Sequence, residues 1–177
     1  MARLDHLSKF AAPYLRQREN LLGAVRASAR GSVIASAMLG GAGAGFGYLV
    51  GTSISAGVTG AILGGALGAA AGMAISAFFV RFQMKRAIGV KGSNLSAVIT
   101  DQRILMFTQT FITSRPSGLG REIPLGSVAS IEVGVARLIT PHPLTITLND
   151  GSVLELEVAK IEKPDKFVAA YRKATGR

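Results

Sequence analysis

The longest apolar stretch of the chain is an uncharged run of fifty residues, 31–80, between Arg30 and Arg81. As an α-helix, about 20 apolar residues span the ~30 Å hydrocarbon core of a bilayer, so this run is long enough to cross twice. Its most polar part, residues 51–57, is bracketed by glycines and predicts a break. We therefore expect a two-helix transmembrane hairpin, with helices over residues 32–50 and 58–80.

Two other arrangements of the apolar run stay open. It could be a re-entrant pair of helices that enters the bilayer without crossing it. It could also be a buried helical hairpin within a globular protein. The second alternative is disfavoured because only 127 residues remain to cover two such helices.

Residues 94–177 consist of short β-rich runs separated by turn residues. The pattern predicts strands over residues 95–100, 104–109, 121–124, 130–135, 144–148 and 153–158. The last two runs alternate apolar and polar residues around Asn149-Asp150-Gly151, which carries an Asp-Gly hairpin signal. Residues 165–174 predict a terminal helix that begins near Pro164. Together these elements predict an antiparallel sheet closed by one amphipathic helix.

Residues 1–30 predict two short helical pieces, which Pro13 separates because the residue before a proline disfavours helix. The second piece places Leu21, Leu22 and Val25 among basic residues. One interpretation is a basic amphipathic helix on the cytoplasmic leaflet. The equal alternative is a helix or strand packed on the globular domain.

Composition supports a membrane element and narrows the chemistry. The chain has 49% hydrophobic but only 6% aromatic residues, with 22 glycines, which is typical of membrane segments and not of disorder. It has no cysteine. This excludes disulfides, thiolate catalysis, cysteine-ligated metals and lipid attachment through an N-terminal cysteine.

The net charge of +10 is concentrated beside the apolar run. Residues 1–30, 31–80, 81–93 and 94–177 carry +4, 0, +4 and +2 respectively. By the positive-inside rule, both flanks face the cytoplasm. The β-rich part is nearly balanced, so nucleic-acid binding is not expected. The predicted contacts with anionic lipid headgroups are Arg16, Arg18, Arg26, Arg30, Arg81, Lys85 and Arg86.

Small residues recur every fourth position within the apolar run. One row is Gly60, Gly64, Gly68, Gly72 and Ser76, and the other begins with Gly43, Gly47 and Gly51. Such stripes let helix backbones approach closely in lipid, where there is little hydrophobic drive for association. We expect these residues to pack helices together and to assemble a homo-oligomer.

The β-rich half resembles bacterial pleckstrin-homology-like (PH-like) domains. The resemblance rests on Ile-Thr-Asp-Gln-Arg-Ile-Leu at residues 99–105, followed by the motifs at 121–125, 130–133 and 144–156. It implies a PH-like β-barrel or sandwich with a C-terminal capping helix, in a scaffold, lipid-facing or oligomerising protein and not an enzyme. The apolar half resembles glycine-zipper two-helix domains of small bacterial envelope proteins. The chain departs from several of those in having no cysteine to acylate.

Candidate chemistry is sparse. His6 and His142 are far apart and, without cysteine, make a poor metal set. The glycines at residues 40–45 lack the Gly-Lys-Ser/Thr of a phosphate loop. Asp101 and Arg103 predict a turn hydrogen bond and an ion pair. We expect no catalytic residue, no cofactor and no metal.

These observations predict an α+β membrane protein: a two-helix transmembrane hairpin and a PH-like antiparallel domain with a C-terminal helix. Its segments are a basic amphipathic helical segment 1–30, the hairpin 31–80, a basic linker 81–93 and the PH-like domain 94–177. The expected function is a non-enzymatic oligomeric scaffold in the bacterial inner membrane, with both termini cytoplasmic. Its expected partners are anionic lipids and copies of itself. A pore or holin-like protein and an anionic-lipid-sensing or membrane-shaping adaptor are the alternatives.

Overall fold

Two compact units make up the chain, and the first is assembled from both ends of the sequence. It consists of Met1–Arg30 and Met84–Arg177, and the second unit is Gly31–Gln83. The computed structural model describes residues 2–30, 38–39, 41–46, 48–50, 58–89, 94–109, 115–136, 141–159 and 161–176. The first unit is rich in β-structure, whereas the described part of the second is helical.

The first unit contains one seven-stranded antiparallel sheet. Its strands are β1 (Leu21–Ala29), β2 (Asn94–Thr100), β3 (Arg103–Gln109), β4 (Pro116–Pro124), β5 (Val128–Val133), β6 (His142–Leu148) and β7 (Val153–Val158). Their order across the sheet is β4-β3-β2-β1-β7-β6-β5. A C-terminal helix, Pro164–Thr175, packs on β1 and β5. This architecture fits a PH-like fold, as the resemblance implied.

The β-strands and the terminal helix agree with the sequence pattern. Strands lie in all six predicted regions, although β4 begins five residues earlier than the predicted start at residue 121. Gly151 adopts φ +82° in the turn between β6 and β7, and its N–H donates to the Leu148 carbonyl. The glycine of the Asp-Gly signal therefore supplies the left-handed conformation that this hairpin needs.

Of the two interpretations of the second part of residues 1–30, the amphipathic helix is wrong, and the structure shows the equal alternative of a strand packed in the globular domain. Residues 21–29 form β1, which pairs with β2 on one side and with β7 on the other. At Gly23, a Cβ atom would lie 3.1 Å from the Ala170 Cβ of the C-terminal helix. Only a small residue fits where β1 crosses the C-terminal helix. Tertiary packing therefore makes this segment a strand although its intrinsic β-propensity is weak.

Alternate residues of the strands point into a core beneath the C-terminal helix. The fully enclosed side chains include Leu95, Ile99, Ile104, Met106, Leu144, Ile146 and Phe167. Tyr171 of the helix is also buried, and its hydroxyl donates to the Val128 carbonyl at 3.0 Å. The helix is thereby fixed to the start of β5 by both apolar and polar contacts.

The N-terminal helix α1 (Ala2–Ala11) and a 3-10 turn (Ala12–Tyr14) cover part of the other face of the sheet. Ala11 packs in a buried cluster with Val98, Leu105 and Phe107. The rings of Phe10 and Phe107 meet edge to face with centroids 5.4 Å apart. Strands β2 and β3 are therefore buried on both faces, which explains the apolar runs at residues 97–99 and 104–107.

The second unit contains the start of a long helix, α2 (Val58–Ile88). Helix α2 extends eight residues beyond the predicted end at residue 80, into the segment that was predicted as a basic linker. Residues 38–39, 41–46 and 48–50 are also helical and are called here the first apolar helix. The predicted break at residues 51–57 lies outside the described residues. Among the residues that the structure describes, no helix combines the length and apolar character that a membrane crossing requires.

The two apolar helices approach each other closely at glycines. A Cβ atom on Gly43 would overlap the Gly68 carbonyl oxygen and lie 3.0 Å from the Gly72 Cα. A Cβ atom on Gly72 would overlap the Leu39 carbonyl oxygen. These contacts join backbone to backbone, so no side-chain rotation can relieve them. The pairing of the two helices depends on glycine at both positions.

We expect Gly43→Ala or Gly72→Ala to destabilise the helix pair by about 1–3 kcal/mol, because the added methyl group overpacks the contact. Gly41→Ala and Gly45→Ala are matched controls, since both positions are open and nothing lies within 4 Å of an added Cβ. The controls should be neutral or stabilising by up to ~1 kcal/mol, the difference in helix propensity. Unfolding of the purified protein in detergent, followed by circular dichroism, measures both effects. Equal midpoints for all four variants would contradict the contact.

Candidate functional site

The apolar unit is inserted between two neighbouring strands of the sheet. Strand β1 ends at Ala29 and β2 begins at Asn94, and Ser28 is the register partner of Asn94. The chain therefore leaves the sheet and re-enters it at the same end of one strand pair. Because β1 also pairs with β7, the insertion interrupts the middle of the seven-stranded sheet and does not simply precede it.

The N-terminal basic residues do not form the single cluster that was expected. Arg16 and Arg18 precede β1, whereas Arg30 follows it. At ~3.3 Å per residue, the nine residues of β1 separate the two groups by about 30 Å. The amphipathic helix that would have placed these side chains on one face is absent, because residues 21–29 are extended.

These arginines have different surroundings in the first unit, and Arg16 forms an ion pair with Glu122 at 3.7 Å. Arg26 lies half-buried opposite Ser96, and its Nε atom is buried without a hydrogen-bond partner among the described residues. Arg30 forms an exposed ion pair with Glu155, beside the point where the chain enters the insertion. Compared with Arg26, Arg30 is better placed to bind an anion from solvent in place of Glu155.

The basic residues beyond the apolar run extend from the last turns of α2. Arg81 and Lys85 are exposed and lie four residues apart, so they share one face of the helix. The side chain of Arg86 lies outside the described set. Headgroup contact by these residues stays a prediction.

The predicted helix-packing residues divide into those with observed contacts and those outside the described part. Gly43, Gly68 and Gly72 meet within one chain, and Gly64 is half-buried. Gly60 and Ser76 lie in α2, but their surroundings are outside the described set. Gly47 and Gly51 lie outside the described residues. Assembly of several copies through these residues stays a prediction.

A buried polar cluster, formed by Glu19, Thr100 and Arg103 with the exposed Glu122 at its edge, joins the N-terminal segment to the β2–β3 hairpin. Arg103 donates from Nε and Nη2 to the two Glu19 carboxylate oxygens at 2.9 and 2.8 Å. It also donates from Nη1 to Glu122 and from Nη2 to the Tyr14 carbonyl. The Arg103 and Glu19 side chains are only 6% and 0% exposed. This is a bidentate pair shielded from water.

The Glu19 carboxylate has further partners that satisfy its remaining acceptor sites. The Thr100 hydroxyl lies 2.7 Å from Oε1, and the Arg16 backbone N–H donates to Oε2 at 2.7 Å. The Thr100 hydroxyl in turn accepts the Arg103 backbone N–H. Such complete pairing is what makes a buried charge tolerable.

The pKa values reflect this arrangement. The hydrogen bond from Arg103 lowers the pKa of Glu19 to about 2, although burial acts in the opposite direction. The hydrogen bond with Glu19 in turn raises the pKa of Arg103. Both groups therefore stay ionised across the physiological pH range.

The tight turn from Arg16 to Glu19 lies directly above this cluster. The Glu19 N–H donates to the Arg16 carbonyl at 3.0 Å, and Arg18 adopts φ +65°. The side-chain amide and backbone N–H of Asn20 both donate to the Asp101 carboxylate. The turn is thus held at both ends of its backbone.

Sequence reasoning missed this cluster and paired the wrong residues. It matched Asp101 with Arg103, whereas Asp101 binds Asn20 and Arg103 binds Glu19 and Glu122. Glu19 is 84 residues from Arg103, so no local spacing relates them. The available signal was Arg103 itself, a charged residue that begins an apolar strand and needs a buried partner.

The described residues offer little for catalysis. They contain no group of three or more His, Asp or Glu placed to hold a metal ion. The His142 ring nitrogen Nδ1 lies 3.3 Å from the Gly134 carbonyl oxygen, which gives this histidine a structural contact. The side chain of His6 lies outside the described set.

We expect Glu19→Gln to destabilise the first unit by about 3–5 kcal/mol at neutral pH, because it leaves the Arg103 charge buried without its ionic partner. Glu155→Gln, which breaks the exposed pair with Arg30, is the matched control and should cost less than about 1 kcal/mol. Denaturant unfolding measures both.

The Glu19 effect should also depend on pH. The group binds its proton more weakly in the folded state, where its pKa is about 2 against an ordinary value of 4.5. Its contribution is therefore full above pH 4.5 and is lost as the pH falls towards 2. The stability gap between the wild type and Glu19→Gln should narrow over that range. A gap that does not change with pH would contradict the ionic role.

Comparison with known proteins adds a remote structural likeness. No family model matches the chain, and no curated protein matches it. A solved structure that is similar to part of it is a DUF1696 family protein with a pleckstrin-homology domain from Shewanella loihica PV-4. The match has 13% sequence identity and a TM-score of 0.37, and it covers 46% of this chain and 70% of the other.

Proposed function

We propose that the protein is a non-enzymatic membrane scaffold. In this proposal the apolar insertion is a hairpin that crosses the bilayer twice, and the PH-like domains of several copies form a layer on the cytoplasmic face. The observation that carries the proposal is the apolar surface of the inserted unit. No catalytic function has comparable support from the described residues.

Large apolar side chains are exposed around both helices of the insertion. Leu67 and Phe78 are 71% and 74% exposed. The others include Met38, Phe46, Leu49, Ile62, Leu63, Met73, Ile75 and Phe82. At about 25 cal/mol per Å² of apolar surface, leaving such a surface in water is costly. Lipid removes that cost, which supports insertion into a bilayer.

The sheet pairing supports the topology of the proposed hairpin. Residues before the insertion form β1, and residues after it form the two strands that flank β1. Both flanks must therefore occupy the same compartment. An insertion embedded in a membrane then crosses an even number of times, which agrees with two helices and with basic residues on both flanks.

The helix ends support contact with anionic lipid. Arg81 and Lys85 are exposed just beyond the uncharged run, with Phe82 exposed between them. A basic side chain near an anionic leaflet contributes roughly 1 kcal/mol, so the two together favour placement of this end at the cytoplasmic headgroups. The inner membrane of a bacterium is the proposed location.

The distribution of small and large residues supports association of several copies. The glycine contact at Gly43 joins the two helices of one chain, and the remaining faces carry large aliphatic and aromatic side chains. Those faces can pack against lipid or against other hairpins. We propose a homo-oligomer because these exposed faces provide surface on which neighbouring hairpins can pack.

Cysteine labelling tests the topology, and the absence of native cysteine leaves no background. We expect cysteines introduced at Ser93 and Thr175 to react only with reagent applied from the cytoplasmic side, because both positions belong to segments in the same compartment as the sheet. A cysteine at Ser53 should react only from the outer side. Labelling of Ser53→Cys from the cytoplasm would show that the hairpin does not cross.

Native mass spectrometry of the detergent-solubilised protein tests the assembly. We expect masses that are multiples of the 18.3 kDa chain, since the hairpins associate in the bilayer. Chemical crosslinking in membranes before extraction is the control for dissociation by detergent. A single-chain mass by both methods would remove the scaffold of several copies.

A further inference from the structure

The exposed face of the C-terminal helix carries a row of basic side chains. Lys166 and Lys173 lie seven residues apart with Ala169 between them, so these three residues share one face of the helix. Arg172 lies beside them in the last turn, and Lys163 directly precedes the helix. All four basic side chains are exposed and are called here the basic strip. At ~1.5 Å per residue, the strip is about 15 Å long.

The basic strip is not neutralised within the first unit. In the part of the chain that the structure describes, none of its four residues belongs to an ion pair. Two acidic residues accompany the strip, the half-buried Glu162 and the exposed Asp165. Asp165 is adjacent to Lys166 in the helix, and adjacent helix residues do not face each other. Residues 162–173 therefore keep a net charge of +2.

Two of the four charges stand where they weaken the helix. Lys163 occupies the N-cap, where a side-chain oxygen usually accepts a backbone N–H, and no side-chain cap is present there. Lys166 lies in the first turn, where the helix dipole disfavours a cation. Arg172 and Lys173 lie in the last turn, where a cation is stabilising. Helix stability therefore explains the last two charges but not the first two.

The surface around the strip suits a broad anionic surface and not a shaped site. The aromatic residues of the helix, Phe167 and Tyr171, are buried, and only the small Ala169 lies between the two lysines. Protein interfaces are usually centred on large anchors in pockets, and single-stranded nucleic acid stacks on aromatic side chains. Lysine instead binds as a flexible point charge. An anionic bilayer leaflet attracts such charges without requiring a fixed geometry.

We propose that the basic strip binds the anionic leaflet of the membrane, so that the first unit lies against the lipid through its C-terminal helix. This inference rests on the proposed insertion of the apolar unit, which keeps the first unit near the bilayer and raises the local concentration of lipid around it. The contact is electrostatic. It therefore weakens with salt and requires anionic lipid but no particular headgroup.

The test uses the full chain in nanodiscs, with a fluorophore on a cysteine introduced at the exposed Ala169. The discs contain phosphatidylcholine with or without phosphatidylglycerol, and some choline headgroups carry a nitroxide quencher. We expect quenching to be about twofold or more stronger in the anionic discs, and high salt should remove the difference. The same fluorophore at the exposed Ser117 is the positional control, because Ser117 lies in β4 whereas the helix packs on β1 and β5. Its quenching should not depend on lipid charge.

Charge removal tests the residues of the strip. Lys166→Gln and Lys173→Gln should each weaken the association with the leaflet by about fivefold, and the double variant should lose the effect of anionic lipid on quenching. Lys9→Gln, which neutralises an exposed lysine of α1, is the matched control and should behave as the wild type. Lys166→Gln should keep or raise the thermal midpoint, since it removes a cation from the first turn, and this separates loss of contact from loss of folding.

Equal quenching at residue 169 in neutral and anionic discs would overturn the proposal, as would an equal loss in Lys9→Gln. A strip that ignores lipid charge but shifts duplex DNA in a native gel, in a manner that requires Lys166 and Lys173, would belong to nucleic acid and would also overturn it. Failure of the chain to co-elute with neutral discs would instead contradict the membrane insertion. Cosedimentation with anionic liposomes, with and without the two lysines, would then decide the role of the strip by itself.

Discussion

The pairing of β1 between β2 and β7 is the constraint on which the rest of the molecule depends. It joins residues 21–29 to strands that lie on the far side of a long insertion. Without β1, the β2–β4 and β5–β7 parts of the sheet would lose their common strand. The same pairing requires both flanks of the insertion to share one compartment, so a property of the sheet limits the topology of the apolar unit.

The buried polar cluster secures the segment that leads into β1. A pair of buried charges is favourable only when every donor and acceptor is satisfied, and the Glu19 carboxylate reaches this state through Arg103, Thr100 and the Arg16 N–H. The aromatic contact of Phe10 with Phe107 adds apolar burial nearby. Residues 1–30 therefore belong structurally to the same unit as the rest of the sheet.

The two units follow different packing rules. The sheet buries large aliphatic side chains against the helices packed on it, whereas the apolar helices meet at glycines and leave their large residues exposed. This inversion is typical of helices whose surroundings are apolar, because contact then comes from close backbone approach and not from exclusion of water. It is the physical basis of the proposal that the two units lie in different environments.

The sequence by itself determined the local elements. Alternation and turn chemistry located the regions of β2–β7 and the C-terminal helix, and the uncharged run with its glycines located the apolar helices. Only the tertiary structure decided the role of residues 21–29, because their small side chains have weak local preference and become a strand through pairing on both edges and close contact with Ala170. It also decided the partner of Arg103, since a contact between residues 84 positions apart leaves no periodic signal in the chain. Local propensity acts over a few residues, whereas the closing of the sheet and the burial of Glu19 depend on segments that meet only after folding.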